Sequence, residues 1–513
     1  MNLDGAMRIA SGGLMNIDRQ LALIAQNVAN ADTPDYARQV GSQQNLTADG
    51  QGLGVVSGPS VRKIDTALQA ALFSQDGTVA ALSVTRSALR SIDAAHGTPG
   101  QGEDLPSRLG VLRDGFSALL SDPAQQAQQS QVLAAATDLV GHINTLGDTY
   151  TAQRQTAHDD AVVAMEELTT SLDTIGTLTA RIVALKSGGL STTDLENQRD
   201  AALHTVAGLV SVKALVRDNG GMLVVTEAGL PLPTRDAAGA LTLDPANLHA
   251  ATYYPGGGLS GITLRGQDVT TQMTGGRIGA DIMLRDRTIP TFQAELDEFA
   301  VGLARRFDAQ GLKLFTDPNG AVPAAVTQVA GVPPVQTGYV GFASTIQVSA
   351  AVIAKPSLLR DGTGAVVDDP SGASAFTPNP ATGPTGFTTL IRRVLDQTFG
   401  AEAQPGVAHA APKITGLGPG GTLTAPYLAP ATLDDFARTV VVAQANVSAE
   451  TEARETTETA LRDRLSERHT NISKVNLDTE MALMLTLQTA YGATARVLTV
   501  IQGLVDDLMN TLR

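Results

Sequence analysis

The chain has 513 residues, 43% of them apolar, with aromatics at 4%, no Trp and no Cys. Without cysteine there are no disulfides, thiolate metal sites or thiol catalysis, and a net charge of −15 argues against nucleic acid as a partner. The length allows about three to four domains, and cores drawn from Ala, Leu, Val and Ile suit long, thin helical packing.

At the head of the chain Met7, Leu14, Leu21 and Val28 recur every seven residues, with Leu3, Ala10, Ile17, Ile24 and Ala31 as an interleaved series. Two such seams place the apolar side chains on one narrow helix face. Asp32-Thr33-Pro34 ends that helix, because the residue before proline disfavours helical ψ. The segment has no basic n-region and its apolar residues are periodic, so any export is expected to proceed without a cleaved signal peptide. No run approaches the roughly eighteen consecutive apolar residues of a membrane span, and no membrane insertion is expected.

Tyr36 to Val61 is polar and Gly-rich, with an extended piece at Val55-Val56. Helix resumes at Ile64 and breaks at His96 to Gly102; Leu105 to Leu120 is a short amphipathic helix stopped by Asp122-Pro123. Ala124 to Lys186 reads as one very long helix, closed by Gly188-Gly189. After Leu203 the period drops to two: Val210, Val212, Ala214 and Val216 precede Asn219-Gly220 and then Met222 to Thr226. That pattern predicts a hairpin with a type I′ turn, both turn residues at positive φ.

Asp281 to Gln310 is helical again, and Pro290 marks a kink or a fresh start. Ala321 to Pro430 is rich in Gly, Pro, Thr and Ala and reads as a loop-heavy insert with a few strands near Ile346 to Val352 and a short helix near Leu390 to Leu395. Helix returns at Thr432. In the tail, Met484, Tyr491, Leu498, Val505 and Leu512 form one seven-residue series, and Leu487, Thr494, Ile501 and Leu508 a second.

The expected fold is multidomain and mainly α, with terminal coiled-coil helices from both chain ends and an inserted β-rich domain. Residues 1–48 would pair with 475–513 as an assembly unit, and 49–195 with 432–474 as a helical body. Residues 196–320 would form the β-rich domain with its helix at 281–310, and 321–431 a variable insert. The middle would project outward, and Val475 to Met481 would be the hinge of the tail.

Catalytic signals are missing from the sequence. The seven histidines show no metal-ligand spacing, and there is neither a Gly-x-Ser-x-Gly elbow nor a phosphate-binding loop. Gly416, Gly418, Gly420 and Gly421 surround Pro419 and read as a flexible loop; Asp317-Pro318-Asn319-Gly320 reads as a turn. No catalytic, cofactor or metal residue is predicted, and an enzyme is not expected.

Two motifs are more specific. Ala25 to Gln39, with Asn27, Asn30, Pro34, Tyr36, Arg38 and Gln39, resembles the N-terminal signature of bacterial flagellar rod, hook and hook-associated axial proteins. Val475, Asn476, Leu477, Asp478 and Met481, followed by Gln488 and Tyr491, resemble their C-terminal signature. Val61-Arg62 with Asp65, Gln198-Arg199-Asp200, and Gly275-Gly276 with Gly279 and Leu284-Arg285-Asp286 are similar to the hook-associated branch. Asp35 stands where that family usually has Gly, and Thr479 replaces an acidic residue.

The resemblance implies a structural subunit at the junction of hook and filament, assembled in a ring or helical lattice of its own copies. Implied partners are the hook subunit, a second junction protein, an export chaperone and the type III export apparatus. Termini with exposed seams would fold when neighbours bury them. The alternatives are another axial protein, or an adhesive or carbohydrate-binding surface protein using the 321–431 insert.

Overall fold

The computed structural model describes residues 3–48, 51–98, 100–324, 336 and 338–511. Nine long or well-placed helices organise it. α1 spans Leu3–Ala29, α2 Thr66–His96, α3 Leu105–Ser121, α4 Gln126–Ser187 and α5 Thr193–Leu209. α6 (Gly276–Met283) and α7 (Ile289–Ala309) follow, then α8 (Leu433–Ser473) and α9 (Leu477–Thr511).

Local chemistry sets several of these boundaries. The Asp65 carboxylate caps α2 by accepting from the amides of Ala67 and Leu68, at 3.0 and 3.1 Å. Asp104 caps α3 through the Ser107 amide at 2.8 Å, and the Thr432 hydroxyl caps α8 through the Asp435 amide at 3.0 Å. Each satisfies an amide that the helix cannot satisfy itself.

Two cores share α4. In the first, Val132, Leu139, Ile143, Leu146 and Tyr150 of α4 pack with Leu109 and Phe116 of α3, Phe299 and Phe307 of α7, and Phe436 and Val440 of α8. In the second, Ala161, Met165, Leu168, Leu172 and Ile175 of α4 pack with Phe73 of α2, Leu203 and Val206 of α5, and Ile278 and Ile282 of α6. The β structure is small and scattered. β1 (Gln43–Ala48) pairs with β2 (Gln51–Ser57), and β3 (Val212–Val216) with β4 (Met222–Thr226), both antiparallel. The fold is thus mainly α with a β region inserted between helical stretches.

Three local expectations change. The β3–β4 turn is not type I′. The Gly220 amide bonds the Arg217 carbonyl at 2.8 Å, the Arg217 amide bonds the Gly221 carbonyl at 2.8 Å, and Gly220 has φ +87° while Asn219 stays out of the positive-φ region. A three-residue loop, Asp218 to Gly220, therefore closes the hairpin and asks for left-handed backbone at one residue only.

The helix expected at 281–310 begins at Gly276 and carries a wide π turn, Leu284–Thr288, just before Pro290, the kink that proline predicts. Its second half, α7, belongs to the first core rather than to the β region, because Phe292, Leu296, Phe299 and Leu303 are buried in the cluster that α3, α4 and α8 also build.

Nor does the 321–431 stretch project as a loop-heavy module where it is described. Tyr339, Phe342, Ile346, Phe376, Leu390, Ile391 and Phe399 lie in the same first core. Carboxylates of α7 fasten it: Asp297 accepts from the amides of Gly341 and Ala343, both at 2.8 Å, and Glu298 accepts from the Tyr339 hydroxyl at 2.8 Å. Apolar residues spaced too irregularly to mark a helix or strand still fill one continuous interior.

Candidate assembly interface

The two terminal helices lie against each other. Asn27 reaches Glu480 at 3.4 Å, and a Cβ built on Gly13 would sit 3.7 Å from Cγ2 of Thr494. As the position along α1 falls from 27 to 13, its partner on α9 rises from 480 to 494, so the pair is antiparallel. Ala10 and Ile24 of α1 and Leu487 of α9 are buried in the seam. Met7, Leu14, Leu21 and Val28 are half-buried on α1, as are Met484, Leu498 and Val505 on α9. Tyr491 and Gln488 are exposed, and Leu512 lies outside the described residues.

The foot of this hairpin is a polar socket. The Asn27 side-chain amide donates to the Gln39 carbonyl at 2.9 Å, and its oxygen accepts from the Gln39 amide at 3.0 Å and the Tyr36 hydroxyl at 3.1 Å. Arg38 donates through Nε to Glu480 at 2.5 Å, and its backbone amide bonds the Ser473 carbonyl at 2.8 Å. The Gln39 side chain donates to Asp194 at 2.5 Å and accepts from the Thr193 hydroxyl at 2.7 Å. Head loop, tail helix and α5 are therefore joined at one place. Burial and the nearby Asp194 carboxylate push the Tyr36 hydroxyl up to about 12.

The loop that enters the socket is a tight turn. The Tyr36 amide bonds the Thr33 carbonyl at 3.3 Å, with Pro34 in second place and Asp35 in third at φ +59°. That is the type II arrangement, which asks for positive φ at its third residue; Asp tolerates it better than most. Asn30 back-bonds the Gln26 carbonyl at 2.9 Å through its side chain and so finishes α1. On the tail side, Asn476 caps α9 by accepting from the Thr479 amide at 3.0 Å, while Val475 is buried. Leu477, Asp478 and Met481 remain exposed.

The structure thus brings together Asn27, Tyr36, Arg38 and Gln39 with the start of α9. The missed members are Glu480, Asp194 and Thr193. Glu480 stands inside the C-terminal motif, but its burial and its contacts with Asn27 and Arg38 arise only through tertiary folding. Asp194 and Thr193 carry none, since Gln39 is 155 and 154 residues away respectively.

The other motif residues brace the body behind the socket. Arg62 holds Glu196 at 3.0 Å and Asp200 at 2.6 Å, and Arg199 donates to the Gly220 carbonyl at 2.7 Å. Fully buried Arg285 makes a two-pronged pair with Asp286, both contacts at 2.7 Å.

Outside the seam the hairpin is still apolar. Met15 is 64% exposed, Leu485 63%, Val500 63% and Met509 62%. No helix among the described residues is long and apolar enough to cross a membrane.

Comparison with known proteins agrees with this anatomy. Residues 90–321 match the family described as the flagellar hook-associated protein FlgK helical domain. Residues 467–511 match the flagellar basal body rod FlgEFG protein C-terminal family, and residues 7–36 the flagella basal body rod protein family. No curated protein sequence matches the chain. The fold is similar to that of the flagellar hook junction protein FlgK from Burkholderia pseudomallei, with 13% identity and a TM-score of 0.54 over 79% of this chain and 100% of that one. An axial signature at each end, joined as one antiparallel hairpin, defines a flagellar axial structural protein. With the helical-domain match between them, the chain is similar to the flagellar hook-associated protein FlgK family over residues 90–321 and to the rod-protein families at both ends.

Proposed function

We propose that the protein is a structural subunit at the junction of hook and filament, not an enzyme, and that the α1–α9 hairpin is its assembly element. One observation carries this reading. The hairpin hides a single narrow seam and leaves Met15, Leu485, Val500 and Met509 in water, more apolar surface than an isolated two-helix arm has reason to keep. In a ring or helical lattice, copies of the same hairpin cover it. The hook subunit contacts one end of each copy and a second junction protein the other, a heterologous arrangement closed by the lattice. Delivery is through the flagellar type III apparatus with an export chaperone and no cleaved signal peptide. The motif residues Asn27, Pro34, Tyr36, Arg38 and Gln39, with Val475 to Met481, set the hairpin on the body, and the 1–48, 475–513 pairing is the assembly domain.

Removing residues 484–513 tests this. The expected cell has hooks but no filaments and sheds filament subunits into the medium. Filaments growing on such cells would overturn the junction role, and loss of the hooks themselves would move the protein below the junction. Amide exchange of the free monomer is a second measure: fast exchange before about Thr33 and after about Val475 is expected, with protection on assembly.

A further inference from the structure

Asp35 does more than tolerate its positive φ. Its carboxylate oxygens lie 3.1 and 3.2 Å from Nδ1 of His204 on α5, and Nε2 of the same ring lies 3.0 Å from Asp76 on α2. The imidazole stacks face to face on Phe73, with ring centroids 4.6 Å apart and planes within 6°. A neutral imidazole has one N–H and can donate to only one of the two carboxylates; the imidazolium donates to both. Both contacts at hydrogen-bond distance therefore describe the charged ring.

The site sits in a cleft of about 440 Å³ between the head loop and α8, lined also by Arg462, Asp463, His469 and Lys474. Arg462 of α8 stands 3.8 Å from Asp76 and 2.7 Å from Asp463, so its charge is largely matched. On α5 itself, Asp200 is taken up by Arg62. Asp32, Tyr36 and Lys474 also line the cleft, and His469 is the other imidazole there; burial lowers it, and its Nε2 has no partner. It thus faces His204 in the neutral form and adds no competing charge.

We infer that Asp35, His204 and Asp76 form a protonation-dependent latch, with His204 the positioning residue that pins the head loop, and so the foot of the assembly hairpin, to the helical body. This rests on the assembly role proposed for the hairpin. The two carboxylates raise the ring to about 9. A raised pKa stabilises the closed state fully below the ordinary histidine value of 6.5, and the contribution is lost as pH climbs through 9. The latch is therefore shut in neutral medium and opens only under alkaline conditions. With Gly at position 35, the turn would survive and the latch would not.

The test uses the full chain, which has no cysteine of its own, with Cys placed at exposed Thr33 and Val163 for paired spin labels. Between pH 6.5 and 7.5 one narrow interlabel distance is expected, broadening with a midpoint near 9. Asp35→Gly keeps the turn and should give the broad distribution at every pH; His204→Gln should do the same. In the imidazole titration by NMR, Asp35→Gly should drop the His204 midpoint by more than one unit. A narrow, pH-independent distance in both variants, or an unmoved midpoint, overturns the latch. The labelled monomer is read throughout, so that outcome leaves the junction role to the filament assay.

Discussion

Arg38 and Glu480 meet 442 residues apart in sequence, with the guanidinium Nε 2.5 Å from a carboxylate that is wholly shielded from water. Removing one partner of a buried ion pair leaves the other charged and unsolvated, which costs more than the pair itself contributes. Arg38→Ala should therefore weaken the attachment of α9 to the head loop by about 3 kcal/mol. Glu480→Gln keeps a hydrogen-bond acceptor, removes the buried charge, and should cost about 1 kcal/mol. Amide exchange of Val475 to Leu487 in the assembled protein, where the hairpin is protected, distinguishes the two, and equal losses would mean that Glu480 is solvated.

The antiparallel direction of the hairpin can be checked covalently. Gly13 and Thr494 are in contact across the seam. Since the chain has no cysteine, Gly13→Cys with Thr494→Cys offers a single possible disulfide. Mild oxidation should give a faster, reductant-sensitive band on a gel. Moving the second cysteine to Met509, which an antiparallel pairing places beyond the far end of α1, should abolish it.

Two buried carboxyls predict how stability falls with pH. Burial raises Glu295 to about 8, where it meets only the Gln444 amide at 3.3 Å, and raises Asp281, helped by nearby Asp160, to about 7. Both bind protons more tightly folded than unfolded, so stability declines as pH rises from about 4 through 8, by up to about 1.4 kcal/mol per unit and group. Glu295→Gln and Asp281→Asn should each flatten that limb and raise the melting temperature at pH 8. Melting curves between pH 5 and 9 would show it; unchanged slopes would place these carboxyls in water.

Gly276 combines two demands. Its φ is +61°, and a Cβ there would lie 2.4 Å from the backbone carbon of Leu209. Gly276→Ala should force α6 away from the end of α5 and cost about 1–3 kcal/mol. Gly208→Ala, directly before Leu209 in α5 and with open space at its Cβ, is the control and should be neutral or stabilising. A urea series on both variants settles the comparison.

What the sequence disclosed follows the range of the forces involved. Seven-residue seams announce the terminal helices, but a heptad is blind to direction, so antiparallel packing became visible only through Asn27 with Glu480 and Gly13 with Thr494. The long run without proline marked α4 to within two residues at either end. The socket was half legible: Asn27, Tyr36, Arg38 and Gln39 stand in one motif, whereas Asp194 and Thr193 meet it through tertiary folding alone. His204 had no local signal at all; its partners sit at positions 35 and 76. Segment 321–431 misled because Gly and Pro conceal sparse aromatics, which fill a core without any periodicity.

The single helix α4 runs through both cores, with Val132 to Ala157 embedded in the first and Ala161 to Ile175 in the second. At 62 residues it is an unbroken rod of about 90 Å. Twisting torque applied at one core passes to the other along continuous backbone hydrogen bonds, with no soft linker to absorb it. Mechanical failure should start away from that rod, at the socket around Gln39, where side chains and the single Arg38–Ser473 backbone bond join head and tail, and the body should turn as one piece.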